Sequence, residues 1–142
     1  MLKSEVAVLR CSDYEYDNVK EAVYASMNLV GSARSLHVGG GDKVLLKVNL
    51  LGARKPEDAV TTHPAVAKAL TEYFQDAGAE VVMGDSSAAG PVETRKALKV
   101  TGIKRVADET RAKAVNFEAE GFAKIPAPRG SIHLSELYVA KP

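Results

Sequence analysis

The stretch between residues 42 and 85 limits most tightly what this chain can fold into. Val44-Leu45-Leu46-Lys47-Val48-Asn49-Leu50 is almost continuously apolar, the pattern of a strand covered on both faces. A loop carrying Gly52, Arg54, Lys55, Pro56, Glu57 and Asp58 follows it. The next segment reads as a helix. Thr61 and Thr62 offer capping hydroxyls, Pro64 suits the first turn, Val66, Ala69, Leu70, Tyr73 and Phe74 repeat at helical spacing, and Gly78 ends the run. Ala79-Glu80-Val81-Val82-Met83-Gly84 then returns to strand character and ends in Asp85-Ser86-Ser87. Strands alternating with a helix through connections of this length are the pattern of a parallel sheet.

The same alternation continues on both sides. Glu5–Arg10 is short and valine-rich, and reads as a first strand ending at Cys11-Ser12-Asp13. Val19, Ala22, Val23, Ser26, Met27 and Val30 follow at helical spacing, with Asp17 as a cap and Gly31 as a stop. Gly39-Gly40-Gly41 precedes a strand rather than a helix, so it is a turn and not a phosphate-binding fingerprint. Pro91 opens a helix, Gly102 interrupts it, and a second short helix covers Ile103–Arg111. Lys113–Phe117 reads as a fourth strand, and Phe122–Ile125 and Ile132–Val139 as short extended segments. The expected fold is α/β: a mostly parallel sheet with helices on both faces, Rossmann-like and three-layered. Residues 1–142 form one domain in this reading. Glu136–Pro142 stops while still reading as a strand, so the sheet is expected to be incomplete at its C-terminal end and the chain to be truncated from a longer one.

Composition narrows the function classes. With 46% hydrophobic and 26% charged residues the chain is neither disordered nor a coiled coil. No run approaches the roughly 18 apolar residues of a membrane span, and the N-terminus lacks the apolar core of a secretory signal, so a cytoplasmic location is expected. One cysteine, Cys11, cannot make an internal disulfide or a four-cysteine metal site, so no iron–sulfur cluster is expected on this chain alone. Cys11 itself reads as a small packed hydrophobe. The formal charge of +1 provides no global field toward nucleic acid or lipid, and neither is an expected partner. Charge is uneven locally. Residues 95–113 carry Arg95, Lys96, Lys99, Lys104, Arg105, Arg111 and Lys113 against Asp108 and Glu109. Without interleaved aromatics, this is a solvated face rather than a nucleic-acid surface.

Parallel sheets bind ligands beyond the carboxyl ends of their strands. The polar residues gather there: Cys11-Ser12-Asp13, Lys47 with Asn49, and Asp85-Ser86-Ser87, with Thr61-Thr62-His63 at a helix start nearby. An ammonium on a buried strand is costly unless paired or bound to an anion. Lys47 therefore either joins Asn49 in holding an anionic ligand, or pairs with Asp85 or reaches solvent. Free amides at the helix start favour an oxyanion beside Thr61, Thr62 and His63, and the alternative is an ordinary N-cap. Asp85, Ser86 and Ser87 could meet a hydroxyl, a phosphate or a metal, or simply satisfy a turn. His37 and His133 stand alone, with no metal-ligand spacing, and no metal site is expected.

The run GDKVLLKVNLLGARKPEDAVTTHPAVAKALTEYFQDAGAEVVMGDSS, preceded by VAVLRC at residues 6–11, resembles the domain of unknown function 362 family. The resemblance rests on Lys47-x-Asn49-Leu50, Thr61-Thr62-His63-Pro64 and Gly84-Asp85-Ser86. Family members usually have proline where Val48 stands here, and continue into a further lysine- and histidine-bearing block, often with a cysteine-rich, ferredoxin-type domain. The resemblance thus implies a redox, iron–sulfur-linked setting supplied by other parts of a longer protein. In layout alone, the chain is also similar to the N-terminal domain of lactate-racemase-like proteins, which hold a phosphorylated cofactor at the corresponding rim. Two function classes follow. One is a redox-associated domain whose rim (Lys47, Asn49, Thr61, Thr62, His63, Asp85, Ser86, Ser87) binds an anionic small molecule or phosphorylated cofactor of unknown identity. The other is a non-catalytic module that docks a ferredoxin-like domain or partner through the basic 95–113 face.

Overall fold

The computed structural model of the chain describes residues 5–87, 89–129 and 135–141. Helix α1 spans Tyr16–Leu29 and a single turn, α2, spans Ser32–Ser35. Strand β1 (Lys43–Lys47), a 3-10 turn (Pro56–Asp58), α3 (Pro64–Asp76) and β2 (Glu80–Asp85) follow. Helices α4 (Pro91–Val100) and α5 (Ile103–Thr110) lead to β3 (Lys113–Asn116), and β4 (Phe122–Pro126) pairs with β5 (Glu136–Ala140). The parallel sheet has the order β1-β2-β3, and β4 and β5 form a separate antiparallel pair. The α/β class and the parallel β1–α3–β2 unit are those expected.

The register aligns Leu46 with Met83 and Met83 with Ala114, so these side chains share a face. The helices pack on that face. Val48, Leu50, Ala67, Met83, Ala97, Leu98, Ile103, Val106 and Ala107 form one buried cluster. Tyr73, Phe74, Ala79, Val81 and Ala33 form a second, against which Tyr24, Met27 and Val44 pack. Each large side chain removed from water here contributes about 1.5–3 kcal/mol. Sequence reasoning expects helices on both faces; among the described residues they lie on one. The other face presents Leu45, which is 56% exposed, with Val82 and Val115. Together with Phe117, Glu120 and Lys141 these line an open cleft of about 640 Å³.

The expected first strand is not formed. Residues 5–10 pair with no strand among the described residues, and Val6 and Val8 are exposed. The segment after it turns into α1 instead. Asp13 Oδ1 accepts hydrogen bonds from the Glu15 amide and from Asn18 Nδ2 (3.0 and 2.8 Å), so Asp13 organises the helix entry while Asp17 lies in the first turn. Cys11, expected to be packed, is exposed. Its neighbours Ser12, Asp13 and Tyr14 lean toward α1 and Val66 of α3 rather than following a strand.

Two glycines are required by close approach. Gly78 has φ +94°, and a Cβ there would sit 3.1 Å from Gly40 Cα. At Gly84 an added Cβ would fall 2.5 Å from the Val115 carbonyl oxygen and 2.6 Å from Val115 Cγ2. Of the last predicted extended segment, residues 132–134, with His133, lie outside the described residues.

Candidate functional site

Beyond the C-terminal ends of β1 and β2 the backbone stays extended and is fastened by polar contacts. The Val48 amide donates to the Gly84 carbonyl at 3.2 Å, continuing the ladder one step. Asp85, at the end of β2, is buried. Its Oδ2 accepts from the fully buried Leu50 amide at 2.9 Å, and its Oδ1 lies 2.7 Å from the Lys47 ammonium. The Asp85 carbonyl also accepts from the Phe117 amide at 3.2 Å. One aspartate therefore ties together three chain segments that each leave a strand.

Asn49 and Thr62 make a reciprocal pair. The Asn49 amide donates to Thr62 Oγ1 at 2.9 Å, and the Thr62 amide donates to the Asn49 carbonyl at 3.1 Å. Asn49 Nδ2 donates to the Val60 carbonyl at 3.1 Å. These bonds hold the start of α3 against the end of β1. The helix is capped by His63, not by the two threonines: His63 Nδ1 accepts from the Ala65 amide at 3.2 Å. His63 is half-buried and stacks on Tyr14, with ring centroids 3.8 Å apart and planes 21° from parallel. Burial lowers its pKa from the ordinary value, and the charge of Glu57 opposes that shift. Thr61 Oγ1 is buried with no hydrogen-bond partner among the described residues.

The structure thus brings Lys47 to Asp85, and Asn49 to Thr62 with Thr61 and His63 beside it. Much of their hydrogen-bonding capacity is spent on the fold. Thr62 Oγ1, Asn49 Nδ2, His63 Nδ1 and both Asp85 oxygens have protein partners. What faces outward is the Lys47 ammonium, whose side chain is 66% exposed, and the hydroxyl of exposed Ser86. Ser87 turns away. Its amide donates to Thr94 Oγ1 at 2.8 Å, and its hydroxyl lies 3.0 Å from the same atom, which is 2.8 Å from Glu118 Oε2.

Neither the Ser87–Thr94–Glu118 network nor Asn116 is among the residues expected from the sequence. Asn116 ends β3, donates from Nδ2 to the Pro91 carbonyl at 2.8 Å and accepts from the Glu118 amide at 3.0 Å. The rule that polar residues collect at strand ends, applied to β3 as to β1 and β2, finds both Asn116 and Glu118. Among the described residues no three His, Cys, Asp or Glu side chains cluster closely enough to hold a metal ion. An iron–sulfur cluster does not fit this chain's own donors, since its single cysteine, Cys11, is exposed and donates to the Asp13 carbonyl. No described helix is long and apolar enough to cross a membrane.

Comparison with known proteins finds one curated relative and one family. The thylakoid-associated protein sll1697 of Synechocystis sp. (strain ATCC 27184 / PCC 6803 / Kazusa) is 37% identical over 90 residues, 63% of this chain. The match covers 27% of that relative, so the chain spans about a quarter of the length of the curated protein it matches. No solved structure matches the chain. The family model described as domain of unknown function (DUF362) matches residues 44–142, which take in β1 from Val44, all of β2 to β5 and the whole Lys47–Asp85 rim, and the chain therefore belongs to the DUF362 family.

Proposed function

We propose that the rim at the ends of β1 and β2 binds a small oxyanion, a phosphate ester or a carboxylate. The observation that carries this reading is the Lys47 ammonium. Asp85 holds it at 2.7 Å, yet its side chain remains 66% exposed, with donors free for an incoming acceptor. Asp85 fixes the position of the charge, and the Asn49–Thr62 pair brings the positive end of α3 alongside. The buried hydroxyl of Thr61, without a hydrogen-bond partner among the described residues, and the His63 ring at that same helix start support the reading. In these roles Lys47 supplies charge, Ser86 meets the ligand's oxygens, and Asn49, Thr61, Thr62, His63 and Asp85 set geometry around the helix start. Ser87 acts in the packing of α4 instead. In the redox-associated setting implied by the family resemblance, this domain contributes binding, and electron carriers belong to other parts of the protein.

The test is thermal unfolding with inorganic phosphate, against chloride at matched ionic strength, for the wild type and Lys47→Met. At ten times its dissociation constant a ligand adds about 1.4 kcal/mol of stability, a rise of a few degrees in Tm for a domain of this size. The rise is expected in the wild type and absent in Lys47→Met. Equal rises in both proteins overturn the reading.

A further inference from the structure

A second concentration of positive charge lies one strand away from the rim. Arg95, Lys96 and Lys99 of α4 and Lys104 of α5 line a cleft of about 550 Å³ beside the edge strand β3, with Val92 and Ala114 supplying apolar wall. That volume falls in the range of sites that enclose small organic ligands. The whole chain carries a formal charge of only +1, so this charge is local. Its neutralisation is incomplete. Lys96 lies 3.7 Å from Glu93, and Lys104 pairs with Asp108, but Arg95 and Lys99 have no ion-pair partner among the described residues.

The arrangement works against the helix that bears it. Arg95 and Lys99 are four residues apart on α4 and Lys96 and Lys99 are three apart, so like charges are neighbours on one face. Each such pair costs an isolated helix a few tenths of a kcal/mol. An anion seated between α4 and α5 removes that repulsion and pairs the free guanidinium and ammonium groups. The apolar wall gives an organic body somewhere to rest, which inorganic phosphate cannot use.

We infer that this cleft is a binding site for a small organic polyanion with an apolar body, of the chemical class of a nucleoside diphosphate. The site shares no residue with the Lys47 rim and does not depend on it.

The experiment is calorimetric titration of the whole chain with ADP, with adenosine and inorganic pyrophosphate as controls, at about 0.1 M salt, where exposed charges more than about 10 Å apart are screened. Three proteins are compared: wild type, the double variant Arg95→Ala/Lys99→Ala, and Lys47→Met. The expected result is saturable binding of ADP to the wild type, weaker binding of pyrophosphate and none of adenosine. The double variant should lose at least tenfold in affinity at the site that prefers ADP over pyrophosphate while keeping the wild-type melting temperature without ligand, and Lys47→Met should keep that site. Absence of saturable ADP binding at millimolar concentration overturns the inference, as does undiminished binding by the double variant. Pyrophosphate binding as tight as ADP removes the apolar wall from the argument and overturns the ligand class. Loss of ADP binding in Lys47→Met alone assigns the anion to the rim and overturns the inference. Failure of the rim reading shows in the phosphate melts of Lys47→Met, and leaves this comparison unaffected.

Discussion

Asp85 and Lys47 form an ion pair of 2.7 Å in which one partner is buried and the other mostly in water. The asymmetry decides how each mutation behaves. Replacing Asp85 by alanine leaves the fully buried Leu50 amide without an acceptor, a loss of about 1–3 kcal/mol. Asp85→Asn keeps an acceptor for that amide and should recover part of the loss. Lys47→Met removes an exposed cation that water replaces, and should cost less than about 1 kcal/mol. Chemical denaturation of the three variants checks the order Asp85→Ala, Asp85→Asn, Lys47→Met.

His63 predicts a pH dependence near neutrality. Burial lowers its folded pKa below the ordinary 6.5, so the unfolded chain takes up a proton first. Its contribution to stability is fully present above that value and is lost as pH falls through the lower folded one. A proton on Nδ1 also removes the acceptor for the Ala65 amide. Urea midpoints of the wild type should fall between pH 7 and pH 5, and His63→Asn, which keeps a cap, should flatten that slope.

Glu72 predicts a second, more acidic transition. Burial alone would raise its pKa, but hydrogen bonds from Lys20 (2.7 Å) and Tyr16 (2.5 Å), with the charges of Lys20 and Lys68, bring it below the ordinary 4.5. A depressed carboxylate stabilises the fold above its unfolded pKa and ceases to as pH falls through the folded value. Because Glu72 joins α3 to α1, acid should loosen α1 first. Helical circular dichroism followed from pH 5 downward should show a smaller loss in Glu72→Gln than in the wild type.

Much of this fold is legible in the letters. The apolar run at Val44–Leu50, the Pro64 helix start and the Val81–Gly84 strand each match an observed element within a few residues, because an apolar strand run and an amphipathic helix write strong patterns, although β1 leaves Leu45 exposed instead of covered on both faces. Lys47 and Asp85 could be paired from the sequence once the strands were parallel neighbours. Residues 5–10 misled for a physical reason: alternating valines record a preference for extended backbone, but a strand exists only when a neighbour accepts its hydrogen bonds. The cap at α3 misled differently. Thr61 and Thr62 are the usual capping types, yet the Asn49 amide claims Thr62 and leaves the helix to His63. No spacing rule anticipates Tyr14 stacking on His63, since it depends on how the N-terminal segment leans across the helix.

Gly84 supplies a steric test. A methyl group there would lie 2.5 Å from the Val115 carbonyl and 2.6 Å from its side chain, closer than atoms can approach. Gly84→Ala should force β2 and β3 apart and cost about 1–3 kcal/mol, in the manner of an overpacked core. Thermal melts of Gly84→Ala, beside the conservative Val82→Ile as a control on the same strand, measure it.

The same tight contact acts as a keyway during folding. Sliding β2 by two positions in either direction keeps its side-chain parity but brings Val82 or Ser86 to the place where only a hydrogen atom fits against Val115. Pairings of the two strands displaced by two residues are thereby disfavoured relative to the observed register.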